Sequence, residues 1–523
     1  MILRSCLLGG TLLLSARLAS GADSVPALVP TPTSGAAPPA GLTPFATSTH
    51  QYAQGIPTGQ AIRGDYGGEL RPRVHYSPPV GYLSDPNGLF KDDNGTWHVY
   101  YQYNPSAPLP GLGNWGHATS PDLYAWTNAP IALHPPASDT GIGNGSVVLD
   151  ANNTSGLGSV VAFYTLNSTV ALAGSTDGGY TFTPAGTVNV RGRDPRVTRV
   201  GSDWVLAVAR DSRVAFYTSG DLKSWSYASD FAGSGRLAAP SLAKVGDSYL
   251  LIVTTTDAPL GGETQVYYVG EFAGGAFTPS AGPTPVEWGK DASGGIVDPS
   301  GGVAISWANN VQYAARVPTA GESWRGALTL PRAVSLVKGA SGTTTLSLAP
   351  YGLDAARGDQ LASAHGDGQW KWDAGLNASA TGTVLLEINV TAGATLNYTF
   401  SGGGSVSGGV SASELWIDRG TANGFNSTSF TPRLATPWTQ RNATLLVVLD
   451  RSVLEVFVDG TAATAVFYPS SPLTHLELAA NGAVSAALWD LHGGFEGDGT
   501  GGAVRRRWRK RGTRGPGGGV AGG

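Results

Sequence analysis

From about residue 71 onward, short apolar and aromatic runs recur between turn signals, and no stretch of comparable length keeps a 3.6-residue period. The best of these runs lie at 97–103, 160–165, 204–209, 214–218, 249–256, 266–272 and 303–307. So many strands with so little helix predict an all-β chain, built as a propeller, a barrel or a large sandwich. The composition agrees: 75 glycines and 34 prolines punctuate the 523 residues, and 14 Trp, 19 Tyr and 14 Phe suit pleated surfaces. Charged residues make up 13%, against an ordinary share of about 25%, which disfavours a helical bundle or coiled coil. A second strand-rich block begins near residue 334, with runs at 384–390, 443–450 and 453–458 and a Val458-Asp459-Gly460 turn into 462–468. Its strand lengths and turn spacing predict a β-sandwich.

The ends of the chain read differently. Residues 1–22 form a secretory signal, with Arg4 in the n-region, an apolar stretch from Ser5 to Ser15 and the small residues Ser20-Gly21-Ala22 at the cleavage site. The apolar stretch is far short of the roughly 20 residues that span a bilayer, so the expected location is extracellular, in the medium or at the cell wall, with no membrane partner. Residues 23–65 are a Pro/Ala/Thr/Ser-rich leader without hydrophobic period, and 496–523 a basic Gly/Arg-rich tail; both are expected to be disordered. The single cysteine, Cys6, falls inside the signal, so the mature chain has neither disulfides nor Cys-ligated metals. The eight histidines lack ligand spacing, and no cofactor or metal is expected. Ten Asn-X-Ser/Thr sequons, from Asn94 to Asn442, predict N-glycans.

The net charge of −4 hides an asymmetry. Setting aside seven basic residues of the tail and Arg4 and Arg17 leaves 24 of the 33 basic residues against 37 acidic ones. A body with that surplus of negative charge has the wrong sign for nucleic acid.

The chemistry is concentrated in a few strings. Ser84-Asp85-Pro86-Asn87-Gly88 taken alone is a turn: proline fixes φ, Asn-Gly accepts positive φ and the aspartate caps. Its neighbours make it more than that. Arg71-Pro72-Arg73-Val74-His75-Tyr76 precedes it, and Trp97-His98-Val99-Tyr100-Tyr101-Gln102-Tyr103 and Trp115-Gly116-His117-Ala118 follow. Further on come Asn144-Gly145-Ser146, Arg193-Asp194-Pro195, residues 261–270, residues 305–310, residues 324–332 and Leu454-Glu455-Val456-Phe457-Val458-Asp459-Gly460. In order and spacing, from Arg71 to Leu491, the chain resembles glycoside hydrolase family 32, the invertase, inulinase and levanase group, and specifically a secreted member of fungal type.

That resemblance implies a five-bladed β-propeller catalytic domain over 66–333 and a β-sandwich over 334–495, with the site in the propeller's funnel. It implies release of β-linked fructose from sucrose or fructans by retention of configuration, in which one carboxylate attacks the anomeric carbon and a second carboxyl protonates the leaving oxygen. Asp85 would be the nucleophile. Asp194 would stabilise the transition state, with Arg193 beside it. Ser84, Asn87, Gln102, Asn144 and Ser146 would bind the fructosyl unit.

One departure bears on the reaction itself. The family's acid is a Glu followed by Cys-Pro, whereas the register here gives Leu237-Ala238-Ala239-Pro240, with Ala238 in the place of the acid. No glutamate lies between Asp194 and Ala238, and the next, Glu263, belongs to a different strand pair. A methyl group delivers no proton, and a positioned general acid is worth on the order of 10²–10⁴ in rate. Two readings follow: an impaired β-fructofuranosidase, or a catalytically silent propeller that binds sucrose or fructan. A relative acting on pentose polymers is a third, which the motif register disfavours.

Overall fold

Gly81–Lys91, Trp97–Asn104, Asn114–Ser120 and Ala125–Asn128 form one antiparallel meander, and three further meanders of four strands follow in chain order: residues 145–191, 193–232 and 237–285. A fifth sheet pairs Ser293–Val297, Val303–Trp307, Arg332–Lys338 and Thr344–Pro350. The first strand of each sheet touches the first strand of the next, and the fifth returns to the first, so the inner strands close a ring. Trp324–Arg325 adds to Gly81–Lys91 in parallel, and Gly494–Phe495 adds in parallel to Ala125–Asn128, so late segments of the chain seal the first sheet. Two six-stranded antiparallel sheets, built from residues 357–491, complete the molecule. The computed structural model describes residues 59–495 apart from 138–139, 340, 377–381, 421–424, 426 and 440. The expected signal at 1–22, the leader as far as residue 58, the tail at 496–523 and the sequons at Asn377 and Asn426 lie outside the described residues.

The fold is a β-propeller followed by a β-sandwich, as the sequence predicts. The last two strands of the fifth sheet lie mostly beyond residue 333, where the sequence divides the domains. In the sequence, residues 324–332 lie between the two strand-rich blocks. In the fold this segment runs through the seal on the first strand, and the chain then returns to finish the fifth sheet.

Strand alternation explains how the two parts hold together. Val384, Leu386, Ile388 and Val390 face the sandwich's own core, while Leu385 between them joins Val448, Phe457, Leu250, Ile252 and Leu348 in a second core shared with the propeller. Val453–Val458 is buried throughout its length because both its faces are covered: Leu454, Val456 and Val458 lie in the sandwich's core and Phe457 in the shared one.

Charges are buried at the same junction and each is partnered. Asp450 accepts the backbone N–H groups of Arg73, Val74 and His75 at 2.7, 2.9 and 2.9 Å, and its Oδ2 lies 2.8 Å from the His75 ring Nδ1. Arg332 spans Glu287 at 2.7 Å and Glu455 at 3.4 Å. Burial alone would lower the His75 pKa, but its hydrogen bonds to Asp450 and Glu455 and their charges raise it to about 9.

Removing one member of such a pair strands the other, so Asp450→Asn is expected to cost about 3–5 kcal/mol in urea denaturation at neutral pH. The pH dependence carries the sign. A histidine whose folded pKa lies above its unfolded value of 6.5 contributes stability that is complete below pH 6.5 and lost as pH rises through about 9. The urea midpoint should therefore decline over that window in the wild type, and the decline should shrink in Asp450→Asn, where Glu455 alone still raises His75.

Candidate active site

Each inner strand brings one part of the site to the axis of the ring. Asp85 sits on Gly81–Lys91, where the pairing with Trp97–Asn104 slips twice, between Leu83 and Pro86 and again between Pro86 and Gly88. Pro86 has no N–H to give the ladder, so the strand bulges there and Ser84 and Asp85 leave the regular register, both half-buried. Asn144 donates through its amide Nδ2 to Asp85 Oδ2 at 2.6 Å. Gly294, from the fifth sheet, closes the other side with φ +63°; a Cβ there would lie 2.2 Å from the Asp85 carboxyl carbon. Only glycine fits that approach.

Asp194, second residue of the third sheet's inner strand Arg193–Val200, has φ +54°, a left-handed conformation that costs a non-glycine residue energy and marks sites where the surroundings enforce it. Its backbone N–H donates to Thr165 Oγ1 at 2.9 Å, and its Oδ2 accepts the Ala239 N–H at 3.1 Å. Ala239 is itself left-handed, at φ +43°. Asp194 is thus tied by its backbone to the second sheet and by its carboxylate to the fourth, beside Ala238.

These groups act on one another electrostatically. Burial first, then the charges of Asp194 and Glu263, push the Asp85 carboxyl up to about 7, while Arg196 and the Asn144 hydrogen bond pull the other way. Glu263 is raised as well, by burial and then by Asp194, against the pull of Arg193 and Arg236. Burial lowers Arg196 to about 10, and Asp194 and Asp85 oppose that shift.

Other residues singled out in the sequence brace the site. Asn87 is fully buried; it donates to Gln102 Oε1 at 3.3 Å and accepts the Gly145 N–H at 3.0 Å. Gln102 spends its Nε2 on the Ile142 carbonyl at 2.6 Å. The Ser146 hydroxyl accepts the Val197 N–H at 3.0 Å. Asn87, Ser146 and Arg196 also line a cavity of about 280 Å³ that neither aspartate lines. Arg193 is half-exposed, donates to the Leu237 carbonyl at 3.3 Å and stands 3.9 Å from Asp194 Oδ2. Ala238 pairs with Thr254 across the fourth sheet.

Sequence reading missed two residues. Arg196, not singled out, is the guanidinium buried between the inner strands: its Nη2 reaches the Pro86 carbonyl at 3.0 Å and the Gly294 carbonyl at 3.4 Å. The signal was present in Arg193-Asp194-Pro195-Arg196, where a second arginine follows Asp194 by two residues and is buried on the inner strand. Glu263 was set aside as part of another strand pair. That pair belongs to the same sheet as Ala238; the glutamate's charge raises the Asp85 carboxyl, and the charge of Asp194 raises the glutamate's own. Among the described residues no group of three or more His, Cys, Asp or Glu is placed to hold a metal ion.

Converging carboxylates at the axis of a β-propeller, with a sandwich packed behind, have the build of a glycosidase. Residues 75–350 match the glycosyl hydrolases family 32 N-terminal domain, and residues 342–492 match the family 32 C-terminal domain. The extracellular exo-inulinase of Meyerozyma guilliermondii is 31% identical over 456 residues, covering 75% of this chain and 88% of that protein. The invertase of Schizosaccharomyces pombe is 31% identical over 484 residues, 80% of this chain and 82% of its own. In structure, the chain superposes with TM-score 0.73 and 27% identity on a Glu-to-Ala variant of the fructofuranosidase of Schwanniomyces occidentalis complexed with fructosylnystose, covering 83% of this chain and 99% of that one. The chain belongs to glycosyl hydrolase family 32 and is a glycosidase of the β-fructofuranosidase class.

Proposed function

We propose that the protein is a secreted enzyme that releases β-linked fructose from sucrose or fructans with retention of configuration, slowed on unactivated substrates by Ala238. Asp85 attacks the anomeric carbon, and Asp194 and Arg193 stabilise the charge that develops on the sugar. Ser84 and Asn144 meet the fructosyl unit, while Asn87, Gln102 and Ser146 serve it through the bracing described above. The observation that carries the reading is the joint hold on the two aspartates: Asn144 on Asp85 at 2.6 Å and the Ala239 N–H on Asp194 at 3.1 Å. The five sheets whose inner strands close a ring support five blades, with the division from the sandwich between Pro350 and Arg357. Secretion is supported by the extracellular relative and by the signal-like first 22 residues. N-glycans belong on sequons other than Asn144, whose amide nitrogen is committed to Asp85.

Ala238 also favours the rival reading of a silent fructan-binding propeller, and one assay separates the two. The chain is expected to hydrolyse sucrose well below a typical enzyme turnover of ~10 s⁻¹. β-Fructosyl fluoride, whose leaving group needs little protonation, should suffer less. In aqueous methanol the methyl fructoside formed should keep the β configuration by NMR. Binding of fructan without turnover of either substrate would establish the silent reading instead.

A further inference from the structure

Ala238 removes a proton donor from a site that otherwise keeps its carboxylates, and the fold brings another carboxyl to the same wall. Leu237–Val245, Ser248–Thr255 and Thr264–Ala273 are consecutive strands of the fourth sheet. Ala238 pairs with Thr254, and Thr254 pairs with Gln265, so the three form one row across the sheet. The row faces the aspartates: Thr254 Oγ1 accepts the Gly294 N–H at 3.0 Å, and Gly294 is the residue that backs against Asp85. Glu263 stands two residues before Gln265, in the turn immediately ahead of Thr264, whose partner across the sheet is Thr255, the neighbour of Thr254.

The turn that delivers Glu263 is fixed. Gly261 and Gly262 take φ +80° and +81°, and a Cβ on Gly262 would fall 2.3 Å from Asn310 Oδ1. Asn310 is buried and donates through Nδ2 to the Lys290 carbonyl at 3.1 Å. The carboxyl at the end of this anchored turn is not spent on the fold. Glu263 is half-buried, and among the described residues nothing hydrogen-bonds to its carboxyl or pairs with it within 4.0 Å. Yet its charge raises the Asp85 carboxyl, and the charge of Asp194 raises its own. An unengaged carboxyl that burial and the charge of Asp194 both raise favours its protonated form.

We infer that Glu263 donates the proton taken up by the oxygen leaving the anomeric carbon, in place of the side chain that Ala238 lacks. The inference rests on the fructoside chemistry proposed above. In the first step an Asp85 oxygen bonds to the anomeric carbon as the glycosidic carbon–oxygen bond breaks, and the leaving oxygen takes the Glu263 proton. In the second, the Glu263 carboxylate takes a proton from water, the water oxygen bonds to the anomeric carbon and Asp85 leaves. Each carboxyl ends as it began.

The test uses the full chain with sucrose and β-fructosyl fluoride. Glu263→Gln is expected to lower sucrose kcat at least tenfold and to leave the fluoride's rate of glycosyl-enzyme formation within about threefold. Adding Ala238→Glu to Glu263→Gln should restore sucrose turnover, because the two positions supply the same proton. Glu263→Asp, which keeps an acid on a shorter stem, should fall between, and it serves should the amide variant fail to fold. Equal losses on both substrates, or no loss on sucrose, overturn the assignment while the fructoside reading stands. A wild type that turns over neither substrate overturns both.

Discussion

Asp85→Asn is expected to abolish fructoside turnover, by ~10⁴-fold or more on both sucrose and β-fructosyl fluoride, and at the same time to make the protein more stable at neutral pH. The kinetic half follows from the proposed role, since an amide oxygen forms no glycosyl ester that water then opens. The stability half follows from the surroundings of the carboxyl. In the unfolded chain it titrates at its ordinary value of 3.8; in the fold, burial and the charges of Asp194 and Glu263 raise it to about 7. The folded state therefore binds more protons than the unfolded one between these values, and stability falls as pH rises from about 4 to about 7. An asparagine keeps the shape and still accepts from Asn144, but it has no charge to lose. Its melting temperature should exceed the wild type's by a few degrees at pH 7.5 and by little at pH 4. A lower melting temperature than wild type at pH 7.5 would show instead that the fold stabilises the Asp85 charge.

The contrast between Asp85 and Asp450 shows how one fold handles buried carboxylates in two ways. Asp450 is surrounded by donors, including three backbone N–H groups and a charged His75 ring, and is held below its usual pKa despite its burial. Asp85 has one amide donor and the distant pull of Arg196 against two negative neighbours. The first arrangement stabilises structure. The second leaves a carboxylate underused by the fold and free to react.

Much of this was legible in the sequence, for identifiable reasons. Alternating strands and turn punctuation are local, so the all-β class and the break between two strand-rich blocks could be read directly. Asp85 and Asp194 stand in strings whose neighbours are themselves unusual. What stayed hidden depends on pairings between distant segments. The fifth sheet is completed by Arg332–Lys338 and Thr344–Pro350 only after the chain has sealed the first sheet at Trp324–Arg325, and no local pattern records that detour. Glu263 is far from Ala238 in sequence but two strands away in one sheet. Arg193 drew notice over Arg196 because it adjoins Asp194, yet strand geometry turns Arg196 inward and leaves Arg193 at the rim.

Ala238→Glu is expected to raise sucrose kcat at least tenfold, within the range of about 10²–10⁴ that a positioned general acid supplies. The ladder fixes where the new side chain goes. Ala238 pairs with Thr254, and cross-strand partners share a face, so the added carboxyl enters beside the Thr254 hydroxyl that holds Gly294 against Asp85. There it joins the field of Asp85, Asp194 and Glu263, which raises its pKa and keeps it protonated at the moment the leaving oxygen needs a proton. The same crowding has a cost: a further carboxyl in this cluster should lower the melting temperature at neutral pH more than at pH 4. β-Fructosyl fluoride separates proton delivery from every other benefit, because its leaving group gains little from an acid. A large gain on sucrose with a small one on the fluoride identifies Ala238 as the position that limits this enzyme. An equal gain on both would mean that the substitution reshapes the pocket instead, and no gain on either, in the Glu263→Gln background as well, would mean that position 238 does not face the scissile bond.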